Sequence, residues 1–375
     1  MPGRTYLDWN ATAPLRAEAR VAMVAALDAF GNASSVHAEG RAARGLIEAA
    51  RAEVAALVSA EPSHVTFTSG ATEANNWVLR SGWDTIFLSG LEHDSVTAAA
   101  EASGAQVHWL PVEKTGVANL ASLSDLVGDP SRLGRAVVAL QFANNETGVV
   151  QPVRDVADLA QKLGVAVHCD AVQAPGRLAV DFEAVGVDYL TVSAHKLGGP
   201  PGIGALIARP GTEMKPLISG GGQERRQRGG TENTAAIAGF GAAAAAVRRD
   251  LARESGRMLE LRLHLERAIL AAMPEAHIIG AGVDRLPNTT CVSLPGRQAE
   301  LLVVGFDLAN VAVSAGAACS SGKVGRSRVL EAMQLDDGIA EGAIRISLGP
   351  TTTHNDIAAF LAAWDVVAAK RRRAA

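Results

Sequence analysis

Between residues 65 and 207, short apolar and β-branched runs recur, and each ends in a small polar cluster that a helical pattern often follows. One of these helices is well marked, because Pro152 suits a first helical turn and Gly164 suits a stop. Strands that alternate with helices indicate an α/β fold, with a mostly parallel sheet covered on both faces. The predicted strands are residues 65–68, 85–88, 137–141, 165–169, 189–192 and 203–207.

The composition excludes several classes of protein. Hydrophobic residues make up 48% of the 375 residues and charged residues 20%, which excludes disorder for most of the chain. A net charge of −4 gives no electrostatic basis for binding nucleic acid, and no apolar run reaches the roughly 18 residues of a membrane span. Cys169, Cys291 and Cys319 are too few and too widely spaced for a disulfide framework. We therefore expect a cytoplasmic protein with free thiols and with neither a nucleic-acid nor a membrane partner.

The pattern changes after Gly222. Residues 248–273 read as a long charged amphipathic helix, followed by short strands near 290–294 and 311–314 and by helices near 327–333 and 356–369. This part resembles a second, smaller α/β domain, and we expect the first dozen residues to lie beside it. We therefore predict a large domain over residues 14–249, and a small domain formed by residues 1–13 together with 250–375.

Polar side chains gather where the predicted strands end. Ligands of open α/β sheets bind beyond the carboxyl ends of the strands, so these clusters should share one crevice. The first cluster follows a strand and opens a helix, whose N-terminus attracts anions, although Ser or Thr there is more often only a helix cap. The clusters are residues 69–72, 92–93, 144–145, Asp170 with Gln173, and 193–196.

Lys196 and Asp170 favour one cofactor class. Neither a P-loop nor a G-x-G-x-x-G motif is present. Lysine at the edge of a dry crevice can form a Schiff base, and an aspartate can keep a pyridine nitrogen protonated. With an anion site, these two groups complete the set that pyridoxal 5′-phosphate (PLP) requires. A metal site at residues 168–170 is the alternative, but Cys169 of a strand would point away from its two neighbours.

The chain resembles the cysteine desulfurases of the NifS/IscS type, within the class V aminotransferases that use PLP. The resemblance runs nearly end to end, from residues 6–14 to residues 345–349. Its most specific motifs are residues 67–73, 144–148, 170–173, 193–196, 220–225 with 228–231, and 314–322.

This resemblance implies a fold type I PLP enzyme, whose large domain holds a mostly parallel seven-stranded sheet. Lys196 then matches the Schiff-base lysine, Asp170 the partner of the pyridine nitrogen, and His93 the catalytic histidine that stacks on the pyridine ring. Gln173 matches the residue that bonds the phenolic oxygen. The phosphate is matched by Ala71, Thr72, Ser193 and His195, and by Thr231 of a neighbouring subunit, which implies a homodimer.

The substrate side is implied in the same way. Asn145, which also contacts the cofactor, and Arg345 match groups that hold the α-carboxylate, with Asn32 as a weaker addition. Cys319 matches the nucleophile that takes sulfur, and the spacing from Cys319 to the helix near Ser327 resembles members that pass sulfur to partners. Cys169 and Cys291 lie in apolar strands and are read as buried packing residues.

The expected reaction removes sulfur from L-cysteine, giving L-alanine and a persulfide on Cys319. The sulfur would serve iron–sulfur cluster or other thio-cofactor assembly, through an acceptor or iron–sulfur scaffold protein. No intrinsic metal is expected, although Cys319 could contact an iron–sulfur cluster. The alternatives are a selenocysteine lyase, or an aminotransferase or lyase of the same fold in which Cys319 is idle. A non-enzymatic scaffold would leave Lys196, Asp170 and Cys319 unexplained together.

Overall fold

The computed structural model describes residues 3–212, 214–316 and 327–369. The strands in these ranges are β1 (Thr5–Tyr6), β2 (Val65–Thr68), β3 (Thr85–Ser89), β4 (Gln106–Leu110), β5 (Ala136–Ala139), β6 (Ala166–Asp170), β7 (Tyr189–Ser193), β8 (Gly204–Ala208), β9 (His277–Ile279), β10 (Thr289–Ser293), β11 (Val311–Ala312), β12 (Ser314–Ala315) and β13 (Ala343–Ser347). The helices are α1 (Ala17–Asp28), α2 (Ala38–Leu57), α3 (Ala71–Leu79), α4 (Asp94–Glu101), α5 (Ala121–Val127), α6 (Val153–Leu163), α7 (Phe182–Val185), α8 (Thr234–Ala272), α9 (Ala299–Leu308), α10 (Arg328–Ala332), α11 (Asp337–Ala340) and α12 (His354–Ala369).

A seven-stranded sheet forms the centre of the fold, in the order β2-β8-β7-β6-β5-β3-β4. Only β8 runs antiparallel to its neighbours, so the predicted mostly parallel α/β sheet is confirmed. Each of the six predicted strands overlaps an observed one. The sequence analysis missed β4, an edge strand whose residues are mostly exposed or half-buried, because its polar and apolar residues alternate without a polar cluster after them.

The longest helix, α8, extends much further than predicted. It spans 39 residues and begins at Thr234, whereas the pattern indicated a start near Arg248. The missed segment, residues 234–247, is rich in alanine and contains Gly239 and Gly241, which weaken a helix signal. A Cβ on Gly241 would lie 2.6 Å from the Cα of Ala50 in α2, so this glycine permits close helix packing. No helix within the described ranges combines the length and the hydrophobicity that crossing a bilayer requires.

Two main hydrophobic cores support the two larger sheets. The first consists of two clusters on the seven-stranded sheet, and the second lies on a four-stranded antiparallel sheet of order β12-β13-β10-β9. A smaller cluster joins Leu91 to Cys291 of β10. Phe306 and Phe360 stack in the second core with ring centroids 4.9 Å apart. Leu7 belongs to this second core, and β1 pairs with β11. Residue 249, the proposed boundary of the large domain, lies inside α8, which contributes Val247 to the first core and Met258 to the second.

Candidate active site

A cavity of about 320 Å³ opens where the strands of the large sheet end. It joins residues that are distant in sequence, because the carboxyl ends of neighbouring parallel strands lie at one edge. The predicted site residues that line it are Ala71, Thr72, His93, Asn145, Asp170, Gln173, Ser193, His195 and Lys196. The structure therefore brings together all five polar clusters of the sequence.

The anion site lies at the start of α3. Gly70 occupies the N-cap position and offers no side chain to the first turn, so the helix dipole faces the cavity through backbone groups alone. The Glu73 carboxylate accepts from the Ser69 N–H at 2.8 Å and is paired with the Arg228 Nε at 2.9 Å. Gly204 of β8 lies directly against Gly70. A Cβ on Gly204 would lie 2.8 Å from the carbonyl carbon of Gly70, so a side chain there would clash with it. This combination can hold a phosphate against the helix end.

Lys196 follows β7 in a short 3₁₀ turn. Its Nζ donates to the main-chain oxygen of Asn10 at 2.5 Å and to that of Ala11 at 2.8 Å. The Gln173 Nε2 also donates to the Asn10 oxygen, at 3.1 Å. The N-terminal segment therefore forms a wall of the cavity. Sequence reasoning assigned Asn10 no role, although it lies inside the quoted motif of residues 6–14.

Asp170 ends β6 with its carboxylate held by two donors. The Val172 N–H donates to Oδ1 at 3.0 Å, and the Asn75 Nδ2 donates to Oδ2 at 2.8 Å. His168 lies two residues earlier, and burial lowers its pKa to about 4, so the ring is neutral at neutral pH. The described residues contain no group of three or more His, Cys, Asp or Glu side chains that could hold a metal ion.

Two histidines line the cavity with different partners. His93 caps α4, where its Nδ1 lies 2.9 Å from the Ser95 Oγ and accepts from the Ser95 N–H at 3.1 Å. The His195 Nδ1 lies 3.2 Å from the Thr12 Oγ1. Burial, with Lys196 and Arg177 nearby, lowers the pKa of His195 to about 4. Without a bound anion, His195 is therefore a neutral hydrogen-bonding group at neutral pH.

Three of the predicted site residues that the structure describes lie outside the lining of this cavity. Arg345 is 1% exposed, and its guanidinium donates to the Asp8 carboxylate at 2.7 Å and to the Asn145 main-chain oxygen at 3.1 Å. The side chains of Thr231 and Asn32 are exposed to solvent. Cys319 lies outside the described residues.

Glu146 joins the two described residues that flank the segment containing Cys319. The Ser327 Oγ, at the start of α10, donates to the Glu146 Oε2 at 2.6 Å, and a Cβ on Gly316 would lie 3.0 Å from the same oxygen. Burial raises the pKa of Glu146 to about 7, although Ser327 and Arg345 oppose the shift. Gly316 and Ser327 therefore both approach Glu146, whose chain neighbour Asn145 lines the cavity.

Glu92 is a buried carboxyl behind the cavity. Its Oε1 accepts from the Gln141 N–H at 2.7 Å, while Oε2 has no hydrogen-bond partner among the described residues. Burial, with a further contribution from Asp170, raises its pKa to about 8, so Glu92 is largely protonated at neutral pH. Protonation removes the charge that would otherwise repel the Asp170 carboxylate.

Replacing Glu92 with Gln is expected to change how stability depends on pH. Between the unfolded pKa near 4.5 and the folded value near 8, the folded wild type binds more protons than the unfolded chain. Its unfolding free energy should therefore fall relative to Glu92→Gln as pH rises from 5 to 8, by up to about 1.4 kcal/mol per pH unit. Urea unfolding at several pH values measures this difference, and the exposed Glu101→Gln is the control. Parallel curves for wild type and Glu92→Gln would contradict the assignment.

Comparison with known proteins gives consistent similarities. The family model described as "Aminotransferase class-V" matches residues 5–360. A cysteine desulfurase of Cereibacter sphaeroides is 42% identical over 370 residues, covering 94% of this chain and 93% of the relative. The crystal structure of a NifS-like protein from Rickettsia africae superposes with a TM-score of 0.90 at 35% identity, covering 97% of this chain and 99% of that one. SspA, solved in complex with cysteine, gives 0.79 at 28% identity, covering 93% and 100%.

Proposed function

The chain belongs to the class V aminotransferase family, and from this membership we propose how its cavity acts on L-cysteine. The protein is a PLP-dependent cysteine desulfurase, which removes the sulfur of L-cysteine and leaves L-alanine. The main support for this proposal is that Lys196, Asp170 and the N-terminus of α3 line the same cavity. The resemblance found in the sequence is confirmed, because relatives match this chain over nearly its whole length.

The cavity residues fit PLP at each of its polar ends. The uncapped first turn of α3 suits the phosphate, with Ser193 and neutral His195 beside it. Asp170 keeps two fixed donors, so its carboxylate can accept a further hydrogen bond from a pyridine nitrogen. Gln173 is 6% exposed and its Oε1 has no partner among the described residues, so a polar group belongs beside it. Lys196 supplies the amine that binds the cofactor's aldehyde.

PLP held there would supply an electron sink for the substrate carbon that carries the amino group. Lys196 and His93 line the same cavity and act as the groups that move protons at that carbon and its neighbour. The Cys319 thiolate attacks the substrate sulfur, so a sulfur–sulfur bond forms as the carbon–sulfur bond breaks. The substrate's β-carbon keeps the electron pair of the broken carbon–sulfur bond and takes up a proton. It thereby becomes the methyl group of alanine.

The substrate's carboxylate is assigned to Asn145 and Arg345. Asn145 lines the cavity, and Arg345 donates to its main-chain oxygen from behind. The Arg345 Nε has no hydrogen-bond partner among the described residues, which leaves one donor of a buried guanidinium for a ligand. Asn32 remains a weaker proposal, since its Oδ1 accepts from the Ser34 N–H on the surface.

A homodimer is proposed for the assembly. Apolar residues of α1 are exposed in a single chain, with Val21 at 69%, Val24 at 53% and Leu27 at 71%. Such an apolar row suits burial against a second copy. Thr231 is also exposed, as expected for a residue that reaches the phosphate of a neighbouring subunit. Light scattering should give twice the 38.7 kDa of one chain.

A sulfur acceptor, a cytoplasmic location and a division into two domains complete the proposed function. The persulfide sulfur of Cys319 passes to an acceptor or iron–sulfur scaffold protein, whose binding would bring a thiol or cluster to that residue. A cytoplasmic, reducing environment suits this chemistry, and Cys169 and Cys291 are free thiols. The division into residues 14–249 and 1–13 with 250–375 is supported by the two separate cores.

Incubation of the purified protein with PLP and L-cysteine tests the activity. Sulfide, released by a thiol reductant, and alanine should appear in equal amounts. An aminotransferase would instead give a keto acid from an amino acid without releasing sulfide. A selenocysteine lyase would release selenide from selenocysteine and leave L-cysteine unchanged. Either outcome would replace the proposed reaction while keeping the cofactor.

A further inference from the structure

A chain of hydrogen bonds connects Asp170 to His93 behind the cavity wall. The Asn75 Nδ2, in α3, donates to the Asp170 Oδ2 at 2.8 Å and to the Ser95 Oγ at 2.9 Å. The Ser95 Oγ, in the first turn of α4, lies 2.9 Å from the His93 Nδ1. Asn75 is 0% exposed and Ser95 8%, so both bonds that the Asn75 amide donates are buried.

The chemistry of the groups fixes the direction of every bond in this chain. An ionised carboxylate only accepts hydrogen bonds, so the Asn75 atom that faces Asp170 must be the amide nitrogen. Turning the amide over would place Oδ1 against the carboxylate. Both hydrogens of this nitrogen are then used, one on Asp170 and one on Ser95. The Ser95 oxygen therefore accepts, and its own hydrogen remains for His93.

The His93 Nδ1 thus receives two donors, the Ser95 hydroxyl and the Ser95 N–H at 3.1 Å. A nitrogen that accepts two hydrogen bonds carries no proton. The ring's single proton must therefore lie on Nε2 when His93 is neutral. Nδ1 is occupied, so Nε2 is the only ring nitrogen able to exchange a proton with a group in the cavity.

We propose that Asn75 and Ser95 are positioning residues. Through the hydrogen bonds that begin at the Asp170 carboxylate, they fix His93 in a single tautomer. The catalytic part of this inference rests on the proposed function, in which His93 moves protons; the tautomer itself does not. One network then sets both the carboxylate that would hold the pyridine nitrogen and the histidine that would stack on the pyridine ring. Their hydrogen-bond states are linked although the two residues do not touch.

Ring ¹⁵N spectra of histidine-labelled holoenzyme at pH 9 test the tautomer, with His93 assigned through His93→Gln. In the wild type, Nε2 should show the signal of a protonated nitrogen and Nδ1 that of an unprotonated one. Ser95→Ala removes one donor, and the ratio of the Nε2-protonated to the Nδ1-protonated form should fall about fivefold. Ser95→Thr keeps a hydroxyl and should restore the ratio. A wild-type ring protonated on Nδ1 would overturn the proposal.

Asn75→Ala tests the chain from its other end. The variant loses the amide that donates to both Asp170 and Ser95, so nothing fixes the Ser95 hydroxyl on Nδ1, and the tautomer ratio should shift in the same direction. Asn355→Ala is the control, because Asn355 is exposed on α12. Both Ser95→Ala and Asn75→Ala should lower kcat for L-cysteine with KM nearly unchanged. An unchanged tautomer ratio in both variants would refute the network, whereas the expected spectra from a wild type that does not desulfurate L-cysteine would refute only the proposed reaction.

Discussion

The Lys196→Ala protein is expected to lose at least about a thousandfold in turnover of L-cysteine, while remaining folded. In the proposed function, the lysine supplies both the amine that binds the cofactor's aldehyde and a group that moves protons at the substrate. Its removal deletes two hydrogen bonds to the main chain of Asn10 and Ala11, worth about 1 kcal/mol each. The phosphate cradle is unchanged, so PLP should still bind without a covalent link.

Sulfide release gives the rate, and borohydride reduction followed by mass spectrometry gives the attachment site. Wild-type protein should carry the reduced cofactor on Lys196 alone. The matched control is Lys162→Ala, which removes an exposed lysine of α6 and should leave rate and attachment intact. A cofactor adduct on another lysine of the wild type, or turnover close to normal in Lys196→Ala, would contradict the assignment.

The Cys319→Ser protein is expected to bind PLP and L-cysteine and to form no persulfide. A hydroxyl cannot replace the thiolate as the acceptor of sulfur, because its pKa is far higher and an oxygen–sulfur bond is less stable. Sulfide release should fall by at least about a hundredfold, since no other described thiol can substitute. Burial raises the pKa of the Cys169 thiol well above its ordinary value and that of Cys291 to about 12.

The controls for this experiment are Cys169→Ala and Cys291→Ala. Both residues are fully buried, so these variants test packing without touching the nucleophile, and both should keep desulfurase activity if folded. Persulfide is measured by alkylation and mass spectrometry after a single turnover. Wild-type rates of sulfide release from Cys319→Ser would assign the protein to the aminotransferases or lyases with an idle thiol.

Most of the cavity could be predicted because strand ends obey a simple topological rule. Asp170 and Ser193 end neighbouring parallel strands, and Lys196 follows within one turn, so a correct strand pattern was sufficient to place them together. The Asp170–His93 network could not be predicted in this way. Its bonds depend on how the side chains of α3 and α4 meet, and no periodicity in either helix records that contact. The contact between Asn10 and Lys196 could not be predicted for a similar reason, since the two residues lie 186 positions apart in the chain.

The course of α8 has a consequence for the way this protein folds. A helix of 39 residues is about 58 Å long, and here it inserts apolar side chains into both cores. Isolated segments of such a helix are marginal in water, so each half of α8 is stable only while its own core holds it. Melting of either core therefore removes a supporting element from the other. The two cores should therefore unfold together in a single cooperative transition, although different parts of the chain form them.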